Sequence, residues 1–435
     1  MAQPGHLDSF SNKAVTVYDK KFQSGIWALF RGAHPRDEVF CFFGGTAPTM
    51  TRSIPIGILF SRAGPYAVPG RQGFDGAMAA IDEINGRDDY PFAFAPTTAD
   101  PEGNTDRYAG LCLDMVRGHG VRHVVGCTTS WSRKEVIPVV EKTDALLWYP
   151  CVYEGFEASE NVVYVAACAN QHLVPLLDYA VPRFGRNPVL LGSNYIWGWE
   201  TNRIAREYIH RSGGDVVAER AIPIGDTDID RLVAEIRAKR PSFILNNLIG
   251  PSSYAFLRAY HALGLEDAAF RPEKRPVLSC NLYESEAAVL GEAVAGNYTV
   301  SCYFQSEQSD RNKAFIERAQ PKGAGPITAF FAESYASVFM IANAIRDTGT
   351  DAIDTVLAAA KERGYASPFG DIRVDAKTNH VAMHAHIGRA QGDGTFEIVH
   401  RGEAAIDPDP FLTRTTLGLS PEATAAKPGH LRIVR

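Results

Sequence analysis

At 435 residues the chain is longer than a single hydrophobic core usually grows, so two domains are expected. With 45% hydrophobic and 22% charged residues it has the balance of a folded soluble protein. The net charge of −6, with no local run of Lys and Arg, excludes a basic footprint for direct nucleic-acid binding.

Residues 1–52 mix Gly, Pro, Ser and Phe without helical or alternating periodicity, and read as a loosely ordered extension with Met50 a candidate natural start. The opening MAQPGHLDSFSNKAVTVYDKK lacks an apolar stretch of signal-peptide length, and SGIWALFRG is too short and too soon charged. Nothing is long enough to span a membrane. Seven cysteines, at 41, 112, 127, 151, 168, 280 and 302, are odd in number and form no CxxC pair, which suits a reducing compartment. The expectation is a cytoplasmic protein, or a periplasmic one if the start is misassigned or the protein serves a transporter.

From Ile54 the pattern alternates regularly: strand IPIGILFS, helix GRQGFDGAMAAIDEING, strand FAFAPTTAD, helix TDRYAGLCLDMVRG, strand HVVGC, helix WSRKEVIPVVEKT, strand ALLWYP. The strands are continuous apolar runs, as in a parallel sheet covered on both faces, and the intervening helices imply right-handed crossovers. A second series starts at NPVLLGS and runs through ETNRIAREYIHRSG, DVVAERAIP, DIDRLVAEIRAKR, SFILNNLIG, SSYAFLRAYHALG, RPVLSCNL and NYTVSCYF. The predicted fold is α/β, with two doubly wound lobes, a hinge and a ligand cleft between the lobes. Residues 53–170 form the first lobe, completed by returning segments from about 305–370; 171–304 form the second; 371–435 supply C-terminal strands and a tail.

Ligands in such sheets sit beyond the carboxyl ends of the strands. The loops there are SRAGPY, GCTTSWSRK, YPCVYEGFE, GSNYIWGWE, NNLIGPSS and SCNLYES, which together offer rings, hydroxyls and amides but few charges. That lining suits a small neutral ligand. Asn247 and Leu248 enter the candidate site through NNLIGPSS. Arg133 and Lys134 read as solvated helix residues, and Ser130 also reads as an N-cap for the helix that follows. Tyr149 has an alternative role as a core ring at a strand end.

The stretch VGCTTSWSRKEVIPVVEKTDALLWYPCVYEGFE, followed by GSNYIWGWETN, resembles the amide- and urea-binding branch of the leucine-binding-protein superfamily, including amide-sensing negative regulators of aliphatic amidase operons. The similarity runs from about Ile54 to Leu412 and includes DPEGNTDRY, ENVVY, GPITAFFAESY and IDPDPF; residues 1–52 have no counterpart. The resemblance implies the type I periplasmic-binding-protein fold, with the ligand held by Ser130, Tyr149 and Tyr195. Where the family has a tyrosine before the serine this chain has Thr128, and its threonine–proline after the strand tyrosine is Cys151–Val152. A roomier cup is therefore expected.

Catalytic signals are weak: there is no GxSxG, HExxH or P-loop, and Cys151 has no neighbouring histidine. His384 and His386 share one face of a predicted strand, without further ligands at metal spacing. No enzyme activity, cofactor or metal is expected. Two functions stay open. One is a sensor that binds a small amide or urea-like ligand and regulates amidase expression by sequestering an RNA-binding antitermination protein. The other is the substrate-binding component of an ABC import system for urea, short amides or branched-chain amino acids. A homo-oligomer is compatible with either.

Overall fold

The computed structural model describes residues 52–320 and 325–419. The expected N-terminal extension and the Met50 start lie outside these residues, as does the tail after residue 419. In chain order the elements are β1 (Arg52–Leu59), α1 (Ala67–Asn85), β2 (Phe92–Ala99), α2 (Arg107–His119), β3 (His123–Gly126), α3 (Ser130–Glu141), β4 (Leu146–Tyr149) and β5 (Val162–Tyr164). Then come α4 (Leu173–Phe184), β6 (Val189–Ser193), α5 (Ile196–Arg211), β7 (Ala218–Ile222), α6 (Asp230–Lys239), β8 (Ile244–Asn247), α7 (Pro251–Glu266), β9 (Val277–Ser279), α8 (Glu284–Leu290) and β10 (Tyr298–Ser301). The remainder is α9 (Asp310–Ala319), α10 (Ala329–Thr348), α11 (Ile353–Glu362), β11 (Tyr365–Ser367), β12 (Gly370–Ile372), β13 (His386–Ala390) and β14 (Phe396–His400).

The first sheet is parallel, in the order β2-β1-β3-β4-β5. Strands β3, β4 and β5 are buried along their whole length and β1 from Ile54 onward almost entirely, as expected where both faces are covered, whereas the edge strand β2 turns polar and exposed after Phe94. Ile54, Ile56 and Ile58 point into a core shared with Phe330, Ala336 and Ile341 of α10, while Leu59, Val124 and Leu147 face α2 and α3. Helix α1 meets α10 closely because Gly76 has no Cβ; one built there would run into the Phe331 backbone. The returning helices therefore complete the first lobe.

The second sheet has the order β14-β13-β10-β9-β8-β6-β7, parallel except for β13 and β14, which add antiparallel at one edge. The C-terminal strands thus belong to the second lobe, an assignment local periodicity did not reveal. Among the described residues, three segments cross between lobes: 165–172, 302–309 and 373–385. The third runs beside the end of β5 and the first: the Tyr164 N–H donates to the Asn379 carbonyl, the Val381 N–H to the Tyr164 carbonyl, and the Gln171 side-chain amide to the Val381 carbonyl.

Strand order reverses on either side of β1 in one sheet and of β6 in the other. Loops leaving β1 and β3, or β6 and β8, diverge there and open a crevice at the strand ends.

Candidate functional site

The crevices of the two lobes face each other across a small cavity of about 50 Å³. From the first lobe, Tyr66 and Pro69 follow β1, Thr128, Thr129 and Ser130 follow β3, and Cys151 and Val152 follow β4; Phe330 of α10 closes the floor. From the second, Tyr195 and Trp197 follow β6, Ile249 follows β8, and Asn281, Tyr283 and Glu286 follow β9. Trp131 stacks on Tyr195 with ring centroids 5.9 Å apart, joining α3 to the start of α5 over the cavity.

A larger groove of about 390 Å³ lies between α11 and the turns at 158–161 and 376–379. Its amides are already engaged: Asn161 donates to the Val140 and Ala145 carbonyls, and Asn379 to those of Ser159 and Glu160. The smaller cavity is the better candidate because the strand ends converge on it.

On the first-lobe side, the N-cap of α3 is Thr129, not Ser130: its hydroxyl accepts from the Ser132 N–H in a capping box. Ser130 opens the helix proper, and the N–H groups of Ser130 and Trp131 belong to the first turn, where a helix supplies no acceptors. Positive dipole density collects at the same place. The Ser130 hydroxyl donates to Glu154. Glu154 pairs with Arg133 at 3.4 Å, and Arg133 reaches Glu157 at 2.5 Å.

Arg133, expected in solvent, is fully buried, with its guanidinium 4.7 Å from the Tyr149 ring and 4.5 Å from the Tyr153 ring. The loop 150–160 folds back over α3 and covers it. Burial alone would raise the Glu157 carboxyl, yet Arg133 and Lys134 bring it down to about 2. Lys134 is exposed, as expected, and binds Glu157 at 2.7 Å.

On the second-lobe side, Trp197 is buried and its indole N–H has no partner among the described residues. Tyr195 is also buried; desolvation, with Tyr66 and Glu154 nearby, pushes its phenol well up. Glu286 accepts from the Tyr254 hydroxyl at 3.0 Å and the Tyr283 N–H at 3.4 Å. Burial raises its carboxyl to about 7. No Lys or Arg lines the cavity among the described residues. The arrangement offers neutral donors on one wall and a carboxyl on the other, between aromatic faces.

Of the residues expected from sequence, Thr128, Ser130, Cys151, Val152 and Tyr195 line the cavity. Tyr149, Asn247 and Leu248 do not. Tyr149 lies in the core beneath the cleft, and its hydroxyl, beside the Cys151 thiol, makes no hydrogen bond of ordinary geometry among the described residues. Asn247 donates to Asn202 under the second sheet, and Leu248 packs into that lobe's core. Thr128 borders this small cavity together with Tyr66, Tyr283 and Phe330. Tyr66, Asn281 and Tyr283 lay within the quoted strand-end loops and could have been named from them. Phe330 and Glu286 sit on helices and gave no local signal. His384 and His386 stack on each other with centroids 5.8 Å apart, and only His386 lies in a strand.

A periplasmic binding protein domain matches residues 54–416. The Leu/Ile/Val-binding protein homolog 6 of Brucella abortus is 22% identical over 355 residues, covering 79% of this chain and 89% of that protein. An ABC transporter solute-binding protein from R. palustris, solved with 4-hydroxybenzoate, superposes with a TM-score of 0.73 at 21% identity, over 84% of this chain and 100% of that one. The branched-chain amino acid transporter substrate-binding protein of Streptococcus pneumoniae, solved with isoleucine, gives 0.70 at 18% identity, over 82% and 100%. With two α/β lobes, a cleft at their strand ends and a family match spanning nearly all the described residues, the chain belongs to the periplasmic binding protein family.

Proposed function

We propose that the protein is the solute-binding component of an ABC import system, working by capture without catalysis. Its ligand is a small organic molecule of the size of a short amide, urea or a branched-chain amino acid. The observation that carries this reading is the cavity itself, assembled from opposing strand ends of two hinged lobes. The free N–H groups of α3 suit a carbonyl or carboxyl oxygen, and the rings of Tyr66, Tyr195, Trp197 and Tyr283 suit an apolar body. Glu286 would receive a donor or ammonium group. A periplasmic location accompanies the reading. The regulatory alternative, with its RNA-binding antitermination partner and cytoplasmic setting, gains no support from the relatives above, which are binding and transport proteins.

A cleft ligand stabilises the folded protein by mass action. Thermal unfolding with leucine, isoleucine, valine, 4-hydroxybenzoate, butyramide, acetamide and urea should show a concentration-dependent rise in Tm for at least one compound, confirmed by calorimetry. No rise with any of them rejects the reading.

A further inference from the structure

We infer that Glu154, held by Arg133, is a specificity-determining residue of the cleft: it accepts the hydrogen bond of the Ser130 hydroxyl, so Ser130 Oγ meets the ligand as an acceptor and selects a head group bearing an N–H or O–H. This rests on the proposed solute-binding role. Ser130 lines the cavity and is 2% exposed, and its hydroxyl donates away from the cavity to Glu154. A carboxylate only accepts, so the Ser130 proton is committed and only lone pairs remain on the ligand side.

Glu154 cannot swing away from this bond. It is 1% exposed and tied to Arg133, which is itself fully buried and fixed by Glu157 and by the rings of Tyr149 and Tyr153. A ligand carboxylate placed on Ser130 Oγ would set lone pair against lone pair, with the Glu154 charge directly behind. No Lys or Arg among the described residues lines the cavity to offset that repulsion. A neutral head avoids it, giving its donor to Ser130 Oγ and its oxygen to the adjacent N–H groups of α3.

The test is calorimetry at pH 8 with two matched pairs, benzamide against benzoate and isovaleramide against isovalerate. In the unaltered protein the amide of a pair should bind at least tenfold more tightly than the acid. Ser130→Ala, which removes the acceptor, should bring that ratio close to one. Glu154→Gln should also shrink it, because a Gln amide can donate to Ser130 and release its proton toward a ligand carboxylate, while Arg133 keeps Glu157. If Glu154→Gln fails to fold by thermal melting, the unaltered protein and Ser130→Ala decide.

An acid binding as tightly as its amide, or a ratio unmoved in Ser130→Ala, overturns the inference. So does absence of binding by all four compounds while the wider panel still contains a ligand. Absence of binding across the whole panel overturns the solute-binding reading, and the inference with it.

Discussion

Arg133 is a charge with no exposed side-chain surface, placed between two carboxylates and two tyrosine rings. Removing one partner of a buried ion pair leaves the others desolvated and unmatched, which typically costs about 3–5 kcal/mol. Arg133→Met should lower the unfolding free energy by about that amount in guanidinium titrations at pH 7. A loss below about 1 kcal/mol would mean water reaches the pair. Tyr149 makes the opposite case: its hydroxyl is buried without a hydrogen bond among the described residues, so its removal forfeits none. Tyr149→Phe should therefore leave stability within about 0.5 kcal/mol and ligand affinity unchanged by calorimetry. The sequence pointed to a ligand contact, with a core ring as the alternative, because a tyrosine at a strand end has a hydroxyl to offer a ligand and a ring to bury.

At the scale of elements, α8 carries two buried carboxyls, Glu284 and Glu286, in its first turn. Burial raises both to about 7. Glu286 faces the cavity, whereas Glu284 accepts from the Gln305 N–H at 2.9 Å and braces the second crossing segment. For a carboxyl whose folded pKa lies above its unfolded one, the folded state holds more protons between the two values, so stability falls as pH rises through that window. Here the window runs from the ordinary glutamate value of 4.5 to about 7. Glu284→Gln keeps an acceptor for Gln305 and removes the penalty. It should match the unaltered protein at pH 4 and exceed it in Tm at pH 8, by a free energy of up to about 3 kcal/mol. Equal melting temperatures at pH 8 would show that Glu284 is hydrated.

For the whole molecule, the lobes approach each other closely where Gly250, just after β8, meets the Pro65 carbonyl, just after β1. Gly250 has φ +56 and ψ −133, a region L side chains avoid, and a Cβ there would run into the Pro65 oxygen. Gly250→Ala should weaken the best ligand of the panel at least tenfold. It should also hold the radius of gyration in small-angle scattering at its ligand-free value when ligand is added, where the unaltered protein contracts. Identical scattering of the unaltered protein with and without ligand would argue for a cleft that does not hinge.

The fold was legible in the sequence because a parallel sheet covered on both faces demands continuous apolar strands, and IPIGILFS, HVVGC, ALLWYP and NPVLLGS supply them at regular intervals. The strand-end loops were legible for the same reason; within them, Thr128, Ser130, Cys151, Val152 and Tyr195, which line the cavity, were singled out by the family resemblance. Tertiary structure decided which side chains reach the cavity and which are buried beneath it. The run SWSRKE looks like a solvated helix face until the 150–160 loop folds over Arg133. Phe330 and Glu286 become cleft residues only when distant helices return to the strand ends. Periodicity reports that a face will be covered; what covers it depends on contacts between segments up to hundreds of residues apart, which no local pattern encodes.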